Sequence, residues 1–215
     1  MDAITATKRT RVIRHPERGV YDTERIYAIL DAAYVCHVGF AIDGQPYVIP
    51  TAFGRVGNLV FIHGSAASRM LRSLAQGIAV CVTVTLVDGF VLARSAFRHS
   101  MNYRSVVILG TARLVTDPSE KVEALRCFTN HVVPGRWEEV RQPNHKEMLS
   151  TSVLALPLDE ASAKVRSGPP LDIEDDWSLP VWAGVVPVQT QFGEPIPDSH
   201  VSPGVPVVDK SRFTR

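Results

Sequence analysis

Between Tyr34 and Leu114 the chain keeps returning to short runs of β-branched and aromatic residues: Tyr34–Ile42, Pro46–Phe53, Leu59–His63, Ile78–Leu86, Phe90–Ala93 and Tyr103–Leu114. Side chains of this kind fit a pleated, half-buried surface. Asp43-Gly44 and Asp88-Gly89 are the dipeptides that two-residue hairpins prefer, because both turn positions need positive φ. With a further turn over Gly54 to Asn58, the first three runs read as a consecutive antiparallel meander. Ile78–Leu86 is too apolar to lie at an exposed edge. Six strands with short turns and no βαβ alternation predict a mainly β fold, a closed antiparallel barrel with flanking helices.

The helices are few and carry clear start signals. Asp22 or Thr23 caps a first helix bearing Ile26, Ile29, Leu30 and Ala33 at helical spacing. Asp117-Pro118 opens another through about Val132, with Val122, Leu125, Phe128 and Thr129 on one side, and Pro134-Gly135 ends it. Asn144 caps a shorter helix, and Ser152–Leu156 returns as a strand. Residues 1–20 are basic, lack apolar periodicity, and read as a mobile or partner-draped arm. The barrel domain spans 21–166. Residues 167–215 turn to proline, glycine and acidic residues with Trp177 and Trp182, a C-terminal extension packing on the barrel or a partner subunit.

Composition narrows the function. Lys plus Arg number 23 against 22 Asp plus Glu, so charge makes no case for nucleic acid or an anionic membrane as a partner. No apolar run is long enough for a membrane span, and the N-terminus is polar where a signal peptide is apolar; the expectation is a cytoplasmic protein. Cys36, Cys81 and Cys127 are scattered within apolar patterns and read as free thiols. The histidines lack metal-ligand spacing.

The stretch from Leu59 to Leu74 carries the most chemistry. An apolar strand runs to His63, passes through Gly64, Ser65 and Ser68, and resumes as a helix with Met70, Leu71 and Leu74 at helical spacing. Backbone N–H groups at a helix start, serine hydroxyls, Arg69 and Arg72 together make a seat for a phosphate. An ordinary capped helix with solvated arginines explains the same residues about equally well. His63, at the strand end, is either a structural histidine or a functional one.

The order of strands, the His63 to Arg69 turn, and above all Tyr103-Arg104-Ser105-Val-Val-Ile-Leu-Gly-Thr-Ala resemble the pyridoxamine 5′-phosphate oxidase-like split-barrel superfamily. Within it the chain is most similar to the flavin-nucleotide-binding, nitroimidazole-reductase type. The resemblance implies a six-stranded split β-barrel and a homodimer holding FMN between subunits; relatives hold deazaflavin or haem instead. It implies that Arg69 and Ser68 bind the FMN phosphate, with Arg72 a weaker candidate, and that His63 lies by the cofactor and substrate space. Ile49, Pro50 and Thr51 match the strand alongside the flavin ring, and Ser105 matches a residue at its polar edge. Trp182 either packs over the partner's flavin or pins the tail. The true oxidases carry Arg-Lys where this chain has Arg69-Met70, which argues against pyridoxamine phosphate as substrate.

Two functions follow. One is an FMN-dependent oxidoreductase acting on a small organic substrate, with His63 as its general acid or substrate anchor. NAD(P)H would then bind transiently as electron donor, since no glycine-rich dinucleotide fingerprint is present. The other is a cofactor-binding or sensing protein without turnover. Arg94 and Arg98 form a solvated face unless they face the cleft, where they would favour an anionic substrate.

Overall fold

The computed structural model describes residues 3–213. In chain order its elements are β1 (Gly19–Val20), α1 (Thr23–Ala32), β2 (Val35–Ile42), β3 (Gln45–Ala52), β4 (Gly54–Val56), β5 (Leu59–Ser65), α2 (Arg69–Leu74), β6 (Ala79–Leu92), β7 (Ser100–Thr111), β8 (Arg113–Leu114), α3 (Pro118–Val132), α4 (His145–Ser150), β9 (Thr151–Pro157), β10 (Ala161–Arg166) and β11 (Gly184–Pro187). The helix starts are those the sequence predicts. Asp22, Asp117 and Asn144 each accept a hydrogen bond from the third helical residue, and Glu147 completes a capping box with Asn144.

The strands form two antiparallel sheets, the halves of a split barrel, and not one closed cylinder. The larger runs β1-β10-β7-β6-β2-β3, with β11 added to β6; the smaller runs β4-β5-β9-β8. The expected three-strand meander is therefore broken. β2 and β3 pair through Asp43-Gly44, whose φ values of 50° and 78° suit the tight turn, but β5 belongs to the other sheet. The chain crosses over at Phe53 and Gly54, both buried. A Cβ on Gly54 would lie 2.9 Å from the Cys127 sulfur of α3, so only glycine lets the chain pass there.

Asp88-Gly89 is not a hairpin. β6 continues straight through it, and the register against β7 shifts between Val87 and Gly89, a bulge. Asp88 turns its carboxylate to the Arg104 guanidinium on β7 at 2.8–3.2 Å. Gly89 lies opposite Pro187 of β11, where a Cβ would come within 3.0 Å of the Val186 carbonyl oxygen.

The barrel core joins Val38 and Phe40 of β2, Val80, Val82 and Val84 of β6, Val106 and Ile108 of β7, and the inward residues of β5 and β9. α1 closes it with Ile26 and Leu30. A second, smaller cluster lies on the other face of β5 and β9, where Phe61, Val153 and Ala155 pack with Ala124 of α3. β5 and β9 are thus covered on both faces, which is why they read as continuous apolar runs.

The N-terminal segment, expected as a mobile or partner-draped arm, lies against its own chain. Thr7 and Arg9 bond Glu160, and Gly19 and Val20 pair with Lys164 and Ala163 of β10. The tail crosses the barrel through β11, and near its end Phe213 receives a 3.5 Å hydrogen bond at its carbonyl from the Tyr34 hydroxyl. Cys36 is a buried free thiol, and Cys81 and Cys127 are half-buried. Among the described residues no helix is long and apolar enough to cross a membrane, and no His/Cys/Asp/Glu cluster fits a metal ion.

Candidate functional site

Ser65 to Arg69 form the tight connection expected between strand and helix. The turn uses most of its own amides: Ala66 donates to the Ser150 carbonyl at 2.8 Å, Ala67 to the Ser65 hydroxyl at 3.2 Å, Ser68 to the Ser65 carbonyl at 2.9 Å. The Leu71 amide goes to the Ser68 hydroxyl at 3.5 Å. These bonds occupy the amides of Ala66, Ala67, Ser68 and Leu71, and the Arg69 guanidinium adds the full positive charge at the same turn. It sits 4.7 Å above the centre of the Tyr47 ring on β3, and Tyr47 stacks in turn on Phe40 at 5.4 Å. Among the described residues no carboxylate lies within ion-pair distance of Arg69 or Arg72. Arg72 is exposed in the last turn of α2, beside the carbonyl end of the helix.

Tyr47 places Arg69 beside β3, the strand that carries Ile49, Pro50 and Thr51. Ile49 is half-buried against the barrel core opposite Val38, Pro50 is exposed opposite His37, and the Thr51 hydroxyl donates to the Ala52 carbonyl at 3.4 Å. Tyr47 itself escaped the sequence reading, because nothing local to Arg69 says which distant ring will lie beneath it.

His63 leaves β5 on another side. It follows Phe61 by two residues, so period-two alternation sends it to the α3 face, where its ring meets Phe128 edge-on with centroids 4.1 Å apart. It opens onto a cavity of about 310 Å³ walled by Leu125, Phe128, Trp137 and Pro143, with Glu147 and Thr151 at its margin. Burial pushes the imidazole pKa below its ordinary value, favouring the neutral ring. Among the described residues no hydrogen bond reaches that ring. Glu147, by contrast, is saturated: Arg141 at 2.7 and 3.0 Å and the Asn144 amide at 2.8 Å hold its carboxyl at about 2. The walls supplied by α3 and Trp137 were invisible from the residues around His63, which lie far away in sequence.

Ser105 does not join the Arg69 group within one chain. Ser105 lies on β7, three strand spacings from β3 or roughly 14 Å, with its hydroxyl donating to the Lys164 carbonyl at 3.2 Å. Trp182 is 65% exposed and packs its ring beside Gly184 at the start of β11. Arg94 and Arg98 hold the tail: Arg94 pairs with Asp172 at 3.0 Å, and Arg98, itself exposed, donates to the Leu171 carbonyl at 3.1 Å.

Comparison with known proteins agrees with this architecture. The family model for pyridoxamine 5′-phosphate oxidase matches residues 22–165. The chain is similar to the flavocytochrome Anf3 from Azotobacter vinelandii, with 45% identity, a TM-score of 0.88 and 94% of each chain covered. It is similar to an FAD- and haem-binding protein from Mycobacterium smegmatis, at 38% identity and TM-score 0.86, over 91% of this chain and 96% of that one. A putative 5-nitroimidazole antibiotic resistance protein from Bacteroides thetaiotaomicron follows at 26% identity and TM-score 0.56, over 68% of this chain and 86% of that one. No curated protein matches the chain. With most of its length matched and its split barrel shared by these neighbours, the chain belongs to the pyridoxamine 5′-phosphate oxidase-like family.

Proposed function

We propose that the protein is a flavin-binding oxidoreductase that works as a homodimer. The observation that carries this is Arg69: a guanidinium with no carboxylate partner among the described residues, held over Tyr47 at β3 and flanked by Ser68. A charged group so placed suits the phosphate of a flavin nucleotide. Ile49, Pro50 and Thr51 offer the neighbouring strand for the ring. A bound flavin would supply hydride or single-electron chemistry toward a small organic acceptor, with NAD(P)H as a transient donor. Ser105, distant from β3 in one chain, and Trp182 fit such a site as contributions from the second subunit. The flavocytochrome and the FAD- and haem-binding neighbour support a flavin and leave FAD as well as FMN as its form.

The test is a titration of flavin-depleted protein with FMN and FAD. A charge-assisted hydrogen bond contributes about 1.5–3 kcal/mol, so Arg69→Ala is expected to lose roughly tenfold to hundredfold in affinity, and Arg72→Ala much less. Unchanged affinity in both variants removes the phosphate assignment.

A second reading adds haem, with His63 as its ligand. A neutral, half-buried imidazole without a hydrogen-bond partner, facing an aromatic cavity, suits a metal-bound cofactor as well as a substrate. Similarity to a flavocytochrome and to an FAD- and haem-binding protein favours the same possibility. A Soret band in the purified protein that disappears in His63→Ala supports haem. A flavin spectrum alone, with slower reoxidation in that variant, supports His63 in substrate chemistry.

A further inference from the structure

The ladder on one side of β6 has a gap. β2 pairs with it from Val80 to Thr83 and β11 from Gly89 to Leu92, so among the described residues Val84 to Val87 have ladder partners on the β7 side alone. At the end of the gap the Asp88 carbonyl accepts from the Val188 amide at 3.1 Å. Against this stretch lies a cavity of about 630 Å³, bounded by Ala32 and Tyr34 ahead of β2, by Thr85 to Asp88 of β6, by Arg104 of β7 and by the tail. Pockets for small ligands span about 300–1,000 Å³.

Its walls have a definite chemistry. Tyr34, Phe192 and Phe213 meet as an aromatic corner, with Phe192 centred 6.0 Å from Tyr34 and 5.0 Å from Phe213. Leu86 lines the barrel side, and the Asp88–Arg104 ion pair forms one wall. The pair is neutral as a unit and does not select for a charged ligand, yet the carboxylate keeps lone pairs that Arg104 does not use. A wholly apolar ligand would strand the strand-edge amides and carbonyls at a cost. A flat ring with donors and acceptors along one edge matches both the strand edge and the aromatic corner.

From these features we infer a ligand site for a planar heteroaromatic ring of the purine type, bound edge-on to β6 and stacked on the tail's aromatic residues. It is separate from the Arg69 group. Tyr34 precedes the first residue of β2, whereas Arg69 reaches the same strand through Tyr47 and Phe40, five residues beyond Val35 and roughly 17 Å along it. Two sources carry this chemistry: a free purine nucleoside and the adenine half of an FAD.

Equilibrium dialysis of adenosine against the full-length protein, flavin-loaded and flavin-depleted, tests the site. Saturable binding at one adenosine per chain is expected in the depleted protein. Phe192→Ala, which removes an exposed tail ring, should weaken it about tenfold, the usual effect of losing one stacking partner. Leu86→Trp, which fills the cavity, should abolish it. If the source is a free nucleoside, adenosine also binds the flavin-loaded protein, and Phe192→Ala leaves FMN and FAD affinities unchanged. If the source is FAD, adenosine competes with FAD, and Phe192→Ala weakens FAD about tenfold while sparing FMN. Absence of saturable adenosine binding, or binding indifferent to both substitutions, overturns the inference. Equal loss of FMN and FAD would place the flavin ring itself in the cavity and overturn the purine assignment. The adenosine readout does not depend on flavin binding, so failure of the Arg69 assignment leaves this site to stand or fall alone.

Discussion

At the scale of single residues, the decisive property is which charges lack partners. Most arginines of the chain are spoken for by Asp, Glu or a carbonyl, as Arg55 is by Asp31 at 2.9 Å and Arg104 is by Asp88. Arg69 instead rests on a ring, which orients it without neutralising it. His63 is the complementary case, a base made more easily neutral by burial. Because its folded pKa lies below that of the unfolded chain, the unfolded state binds its proton first as pH falls. The stability linked to this residue is therefore complete above its ordinary value of 6.5 and declines as pH drops toward the folded pKa. Chemical denaturation from pH 7.5 down to 5 should show this decline in wild type and a smaller one in His63→Phe; equal slopes would mean that His63 contributes nothing to the pH dependence. Any rate that depends on the neutral imidazole should likewise hold to a lower pH than an exposed histidine allows.

At the scale of elements, β9 and β11 make opposite predictions. β9 is central to the smaller sheet and buried on both faces, with Leu154 and Leu156 fully enclosed. Leu156→Ala should cost about 2–5 kcal/mol, read as a lower denaturation midpoint at unchanged slope. β11 covers only the bulged end of β6, where Gly89 admits it. Gly89→Val drives a branched side chain into the Val186 carbonyl and should detach β11. Faster hydrogen exchange at Gly184–Val186, with protection of β6 and β7 retained, is the expected sign. Uniform loss of protection would instead mean that the bulge is needed by the whole sheet. Asn144→Ala, which removes the α4 cap, should cost about 1 kcal/mol.

At the scale of the whole molecule, the larger sheet leaves several apolar side chains of one face in solvent. Val35 and Val48 on β2 and β3, and Val87, Phe90 and Met101 on β6 and β7, are all exposed apolar residues. A homodimer would cover such residues and bring Ser105 or Trp182 of one subunit toward the β3 site of the other. Sedimentation of the purified protein at micromolar concentration should give about twice the chain mass of 23.6 kDa. A cofactor-loaded monomer would count against the proposed site as well as the dimer.

The sequence by itself determined what depends on neighbours along the chain. Asp22, Asp117 and Asn144 cap their helices through bonds to the third residue on, and Asp43-Gly44 turns because both residues accept positive φ. The order of strands, the turn from His63 to Arg69 and the run of Tyr103 to Ala112 together carried the resemblance to the family. Tertiary structure alone decided the rest. Asp88-Gly89 has the same local chemistry as the true hairpin, yet its backbone stays extended because β7 pairs on both sides of it and β11 needs the glycine's open face. The side of β5 that His63 occupies follows from alternation, but the cavity there is made by Phe128 and Trp137, which reach it only when α3 packs on the small sheet. Arg69, at the start of α2, is aimed by Tyr47 of β3, and no spacing along a chain encodes which ring of a distant strand will lie beneath a helix's guanidinium.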